Sequence, residues 1–389
     1  MTYDFDTVTD RRRTDSLKWH IGETELPMWV ADMDFKTAPE IIKAVEDRLS
    51  HGIFGYSIIP DYWYDCYGDW WEKRHNFRLE HDWLLFCIGV VPAVSSMIRH
   101  LTKSDEKVLI QPPVYNAFFH AIKDNGRGLA ENPLKCENGE YSVDFDDLDK
   151  KLSDPKVTLM ILCSPHNPIG KIWDRQTLAK IGELCAKHKV TVISDEIHCD
   201  LTDPGVDYIP FASVNDTCRN NSITCIAPTK TFNLAGMKTA AVAVPHKDLR
   251  RRVQKGLYVD GLDEPNGFSC IAAYAAYTQG EGWLDQLRQY LYENKRFVRD
   301  FIARELPQIN VTSCEATYLM WLDCGKVKGF DENSPSFIRE KTGLFLSEGK
   351  IFGKQGEKCM RMNTACPKAL LEEGLQRLKQ GIRAVEDNS

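Results

Sequence analysis

Between residues 83 and 244 the chain repeats one arrangement: a short unbroken apolar run, then a stretch whose apolar residues return every third or fourth position. The runs cover residues 83–88, 107–110, 157–163, 190–196, 223–227 and 240–244. Unbroken rather than alternating apolar runs belong to strands buried on both faces, and helices between them allow neighbouring strands to run parallel. The pattern predicts an α/β fold whose large domain is a mostly parallel sheet sandwiched by helices. One connecting helix is expected to enter through Gly89, with Pro92 at its first position, and to end at Leu101. Another puts Leu178, Ile181 and Leu184 or Cys185 on its inner face.

Outside this region the texture changes. The first 35 residues read as irregular. Thr37 is then placed to cap a helix with Pro39 in its first turn, Ile41, Val45 and Leu49 along one face, and Gly52 as its stop. Residues 52–57, GIFGYS, make a glycine-hinged aromatic loop. Beyond Gly267 long helices take over, the clearest at 284–306, followed by a strand-like stretch at 317–322 and an amphipathic helix begun at Pro367. The expected division is a large domain over residues 46–284 and a smaller α+β domain built from residues 1–45 and 285–389.

Composition narrows the class of partner. A net charge of -7 argues against nucleic acid, because phosphate binding wants a surplus of lysine and arginine. The run Arg11, Arg12, Arg13 reads as solvated surface. No apolar stretch behind a basic start suggests a signal peptide, and no run approaches the roughly 18 apolar residues a membrane helix needs, so a cytoplasmic location is expected. The 13 cysteines include no C-x-x-C pair and no His/Cys grouping at zinc spacing. They read as reduced and structural, and no metal is expected.

In open α/β sheets, ligands sit outside the carboxyl ends of the strands. Here those ends carry the turn Gly89, Val90, Val91, then Asn167, Asp195 and Lys230. An amine delivered there is desolvated, which lowers its pKa and suits it to attack an aldehyde; a lysine snorkelling from a loop is the plainer reading of that stretch taken alone. Asp195 ends an apolar strand and needs a cationic partner, for which a pyridine nitrogen would serve, unless it caps a following helix. Asn167, between two prolines in a loop closed by Gly170, either donates to a phenolate oxygen or is an ordinary turn residue. Backbone N–H groups of Val90 and Val91 suit a phosphate, with the Thr229 hydroxyl and the Lys238 ammonium as further partners. Tyr115 either lies flat on an aromatic ring or is a structural tyrosine.

The order and spacing of Ser164, Pro165, Asn167, Pro168 and Gly170, then Asp195, then Thr229, Lys230 and Gly236 resemble the pyridoxal-phosphate enzymes of fold type I, the aspartate aminotransferase superfamily, over nearly the whole chain. Finer stretches, WVADMDF at 29–35, FGY at 54–56, DEIH at 195–198, APTKTFN at 227–233 and RMNTACP at 361–367, are similar to the MalY/PatB branch of cystathionine β-lyases, or C–S lyases. The resemblance implies that Lys230 binds pyridoxal 5'-phosphate through its amine, that Asp195 pairs with the pyridine nitrogen and that Asn167 bonds the ring oxygen. It implies that Tyr115 stacks on the ring, with His198 beside the cofactor or, like His166, in a supporting structural role. Tyr56 would reach the phosphate of the neighbouring subunit, which makes the unit a homodimer with shared active sites. Arg361 would fork onto the α-carboxylate of an amino-acid substrate, bordered also by Tyr56, Tyr115 and Asn167; from the residues alone, a surface arginine pairing with Glu357 is favoured. Ala227 stands where the superfamily has a phosphate-binding serine, and Lys238 where it has an arginine, so Thr229 is expected to supply the hydroxyl.

The activity implied is β-elimination on sulfur amino acids such as L-cystathionine, giving a thiol (homocysteine), pyruvate and ammonia. An aminotransferase needs the same lysine, aspartate and arginine and stays open, as does a regulatory protein that binds a transcription factor.

Overall fold

In the computed structural model, which describes residues 2–388, the six apolar runs become six strands of one seven-stranded sheet, whose remaining strand, at 128–131, follows from none of them. Its strands are β1 (Leu84–Cys87), β2 (Lys107–Ile110), β3 (Gly128–Glu131), β4 (Val157–Cys163), β5 (Thr191–Asp195), β6 (Ser222–Ile226) and β7 (Ala240–Ala243). They lie in the order β1-β7-β6-β5-β4-β2-β3, and every pairing is parallel except those of β7, which runs antiparallel to both β1 and β6. Parallel neighbours put their carboxyl ends at one edge. The antiparallel β7 brings its amino end, just after Lys238, to that same edge.

Helices cover both faces, as unbroken apolar strands require. On one face Val94, Met97 and Ile98 of α1 (Val90–Leu101) pack with Val253 and Leu257 of the helix Lys247–Val259 against Ile193, Ile223, Cys225 and Val242. The other face takes Leu178, Ile181 and Cys185 over Met160, Leu162 and Val192. It also takes the aromatic side of the helix Asp61–His75, with Trp63, Tyr67 and Trp70 in the cluster that includes Phe86 and Ala241.

A second, antiparallel sheet is built from β8 (Asn310–Val311), β9 (Leu319–Asp323), β10 (Ser347–Glu348) and β11 (Cys359–Asn363), in the order β8-β9-β11-β10. The helix Lys368–Asp387 buries Leu371, Leu375, Leu378 and Ile382 against Met320, Leu322, Met360 and Met362. The 25-residue helix Glu281–Glu305 serves both sheets: Trp283, Leu284 and Leu287 join the large core, and Val298, Phe301 and Ile302 the smaller one. Near the amino terminus, Leu26–Pro27 pairs in parallel with Leu344–Phe345.

Several local expectations are corrected. Thr37 caps nothing: the helix Pro39–Ser50 begins one residue after Ala38 without a side-chain cap, because the fixed φ of Pro39 starts it. Of its expected inner face Ile41 is buried and Leu49 exposed. Pro92 is the third residue of α1, which Val90 begins. Arg11 is not solvated surface. Its guanidinium holds Asp34 at 2.7 Å and Asp32 at 2.9 Å, and the buried Lys18 holds Asp34 at 2.7 Å from another side. Among the described residues no helix is long and apolar enough to cross a membrane.

Candidate active site

At the carboxyl edge of the large sheet lies a cavity of 420 Å³, a volume suited to a small ligand. Four strand ends feed it. After β6, Ala227 stays extended and Pro228 starts a one-turn helix, Pro228–Thr231, that lifts Lys230 over the edge. Asn233, at φ 57°, then ties this turn to the amino-terminal segment: its amide donates to the carbonyls of Met33 and Phe35 at 3.0 and 2.9 Å. From that segment comes the carbonyl of Ala31, which accepts from Lys230 Nζ at 2.6 Å and from the Tyr318 hydroxyl at 3.0 Å. Burial first, and then the positive charge of Arg361, push the Lys230 amine down to about 8, against the pull of Asp32 and Asp195.

Asp195 is the last residue of β5 and is buried. It accepts from the N–H of Ile197 at 3.2 Å, and no helix follows for it to cap. Burial drives its carboxyl up to about 6, with the Ile197 N–H and Lys230 opposing. A buried carboxylate with so little hydrogen bonding calls for a cationic donor.

From β4 the loop through Pro165 and Pro168 sets Asn167, also buried, so that its Oδ1 accepts from Arg361 Nη1 at 3.0 Å. The amide NH2 is the group left to donate. Arg361 itself lies mid-strand in β11, buried; its Nη2 donates to the Trp29 carbonyl at 2.8 Å and to Ser347 Oγ at 3.3 Å, and its Nε is buried without a protein partner. Burial lowers its pKa to about 10. The expectation from the residues alone, a surface pairing with Glu357, is therefore overturned.

Val90 and Val91 border the cavity at the start of α1, where the first N–H groups of a helix have no partner within it. Thr229, Tyr115 and Lys238 also line it. Lys238 is exposed, in a left-handed conformation at φ 53°. His198 lines the cavity too, buried, and its Nδ1 has no hydrogen-bond partner. Burial, helped by Lys230 and Arg361, pushes it down to about 3, so the ring is neutral. His166 is a structural residue: its Nε2 meets the Pro113 carbonyl at 2.8 Å, beneath the turn that leads to Tyr115.

Tyr56 alone of the expected residues stands apart. It is fully exposed and borders a separate hollow with Pro60 and Asn266. Reasoning on the sequence missed the Ala31 and Trp29 carbonyls, the Tyr318 hydroxyl and Leu17, which lines the cavity rim. Carbonyls in an irregular segment, unlike the N–H groups at a helix start, leave no signature in a sequence.

Residues 26–378 match the family described as aminotransferase class I and II. The cystathionine beta-lyase PatB of Bacillus subtilis (strain 168) is 41% identical over 384 residues, 97% of this chain and 99% of that protein. The crystal structure of cystalysin from Treponema denticola, which contains a pyridoxal 5'-phosphate cofactor, is similar with a TM-score of 0.94 at 34% identity, covering 99% of this chain and 100% of that one. That of the PLP-bound C-S lyase from Staphylococcus hominis gives a TM-score of 0.93 at 32% identity, with 98% of each chain covered. The chain belongs to the aminotransferase class I and II family.

Proposed function

We propose that this chain is a pyridoxal-phosphate-dependent carbon–sulfur lyase acting on L-amino acids with sulfur at Cβ, such as L-cystathionine. The observation that carries the reading is the meeting of three side chains at one cavity: an amine of lowered basicity, a buried carboxylate short of donors, and Asn167, behind which the buried Arg361 guanidinium is bonded. The residues present fit the cofactor. Asp195 offers the negative charge a pyridinium nitrogen needs, Asn167 an amide donor for the ring oxygen, and Tyr115 an aromatic face. The first N–H groups of α1, with the Thr229 hydroxyl and the Lys238 ammonium, suit the phosphate. His198, neutral and with a free ring nitrogen, is a further contact on the same wall. When bound, pyridoxal phosphate supplies the sink for the electron pair left when Cα loses its proton.

The chain's own residues do the rest. Arg361 presents a planar fork to the substrate α-carboxylate, held in place by Asn167, Ser347 and the Trp29 carbonyl. Lys230, whose burial lowers its basicity so that a substantial minority of the amine is neutral near physiological pH, would take the Cα proton. The Cβ–S bond then breaks, and the same amine returns a proton to the departing sulfur. Water converts the remaining three-carbon fragment to pyruvate and ammonia. The whole-length likeness to proteins named as cystathionine β-lyase and C–S lyase favours elimination over amino transfer. A homodimer in which Tyr56 of the partner subunit reaches the phosphate completes the site. A cytoplasmic location suits the 13 free cysteines.

The test is to supply the purified protein with pyridoxal phosphate and L-cystathionine, without a keto acid, and to measure pyruvate and free thiol. Sustained release of both in equal amounts is expected. A single turnover that stalls until a keto acid is added would make the protein an aminotransferase.

A further inference from the structure

Outside the lining of the cavity, in contact with the residue that follows Lys230, lies a further buried carboxylate. Asp200 is on the turn that follows Asp195, and both of its oxygens are engaged. Oδ2 accepts from the Thr231 hydroxyl at 3.1 Å; Oδ1 accepts from Trp70 Nε1 at 3.0 Å and meets His75 Nε2 at 3.0 Å. Burial works to raise its pKa, but His75, Trp70 and Arg74 together hold it below the usual carboxylate range. Arg288 braces the same loop from outside, donating to the Thr202 carbonyl at 2.8 Å and to the Thr202 hydroxyl at 2.7 Å.

Thr231 is the residue after Lys230, is fully buried, and closes the four-residue helix Pro228–Thr231. So short a helix does not hold its own shape. It is fixed by what surrounds it, and through Thr231 the surroundings include an anion rigidly held between two structural elements. His75, Cys199 and Asp200 do offer donor atoms within 4.8 Å of one another, a set that could attract a metal ion. Yet both carboxylate oxygens are already taken by Thr231, Trp70 and His75, so the cluster reads as a cradle for the lysine turn.

We propose that Asp200 is a positioning residue for Lys230: its bond to the Thr231 hydroxyl sets the lysine turn relative to the strand end that carries Asp195. The inference rests on Lys230 as the lysine that binds the cofactor. A buried carboxylate tying the catalytic turn to the neighbouring strand loop fixes the direction of the amine without touching substrate.

The experiment compares wild type, Thr231→Val, Thr231→Ser and Asp200→Asn as full chains. Three rates are read: acylation of Lys230 in the cofactor-free chain, followed by mass spectrometry; capture of added pyridoxal phosphate, followed by absorbance; and turnover of L-cystathionine. Thr231→Val keeps the shape and loses the hydroxyl. It is expected to slow cofactor capture and kcat about tenfold with KM changed by less than about twofold, the scale seen when groups that orient a reacting residue are removed. Asp200→Asn should act in the same direction, and Thr231→Ser should restore wild-type rates. If Thr231→Val and Asp200→Asn capture cofactor at wild-type rates and only their melting temperatures fall, or if Thr231→Ser behaves like Thr231→Val, the bond is merely structural and the proposal fails. A wild-type chain that captures no pyridoxal phosphate overturns the functional reading instead; the acylation rates of Lys230 then still decide whether Thr231 orients it.

Discussion

Lys230 carries its chemistry in a depressed basicity, and that can be read directly. Only a neutral amine reacts with an acylating reagent, and burial next to Arg361 disfavours the ammonium. In the cofactor-free chain the acylation rate of Lys230 is therefore expected to rise with pH and reach half its plateau near pH 8, where the amine loses its proton. A midpoint as high as that of surface lysines would show that the amine is solvated. Individual residues were unequally legible. Lys230, Asp195 and Asn167 stand out in the sequence because each is a polar group that ends an apolar run, where solvation is lost. Arg361 does not: it lies between Met360 and Met362 in a strand whose residues are all buried, and nothing local says that its partners are Asn167 and a carbonyl near the amino terminus. Only its likeness to a family motif singled it out. The Ala31 carbonyl was beyond reach, since its contact with Lys230 spans 199 positions of chain and involves no side chain of its own.

Elements were legible where one periodicity ruled. The long apolar strands in the middle of the sheet and the helix Lys368–Asp387 follow from theirs, whereas the edge strand β3 reads GLAE, half-buried and without an apolar run. The helix Asp61–His75 is crowded with charged residues, but Trp63, Tyr67, Trp70 and Trp71 recur at helical spacing and are all buried. Counting aromatics as apolar across that stretch would have found it. The loop from Ser164 to Gly170 shows how closely elements are fitted around the site. Gly170 has φ 67°, and its carbonyl accepts from the N–H groups of Glu315 and Ala316 at 3.0 and 3.1 Å, which joins the Asn167 loop to the stretch before β9. A Cβ there would run into Cys314 Sγ and lie 2.8 Å from the Ala316 carbonyl oxygen. Gly170→Ala should therefore cost at least about 1–2 kcal/mol from the left-handed backbone alone, with the clash adding to it. Because Asn167 moves with the loop, KM for the amino acid should rise as well. Chemical denaturation and steady-state kinetics on the same preparation check both, and an unchanged KM would mean that the Arg361–Asn167 pair is independent of that joint.

At the scale of the whole molecule, the chain leaves an apolar stretch around Tyr56 largely uncovered. Ile53, Phe54, Tyr56 and Ile58 are all exposed within six residues, and Leu49 adds to them from the end of the preceding helix. Contiguous apolar exposure of this kind marks an interaction surface. A second copy of the chain, as proposed above, would cover it and would also account for Tyr56 lying away from its own cavity, since a two-fold axis exchanges equivalent patches. If sites are shared, two defective chains can repair each other. Lys230→Ala and Tyr56→Ala, each nearly inactive alone, are expected to regain activity when unfolded together and refolded as a mixture. Random pairing makes half the dimers hybrid, each with one site that takes Lys230 from one chain and Tyr56 from the other, so recovery should approach about a quarter of wild-type activity per chain. Refolding the two variants separately and mixing them afterwards controls for exchange. No recovery from co-refolded chains that sediment as dimers would mean that each cavity is complete within its own chain, and that the exposed stretch around Tyr56 serves assembly without serving the reaction.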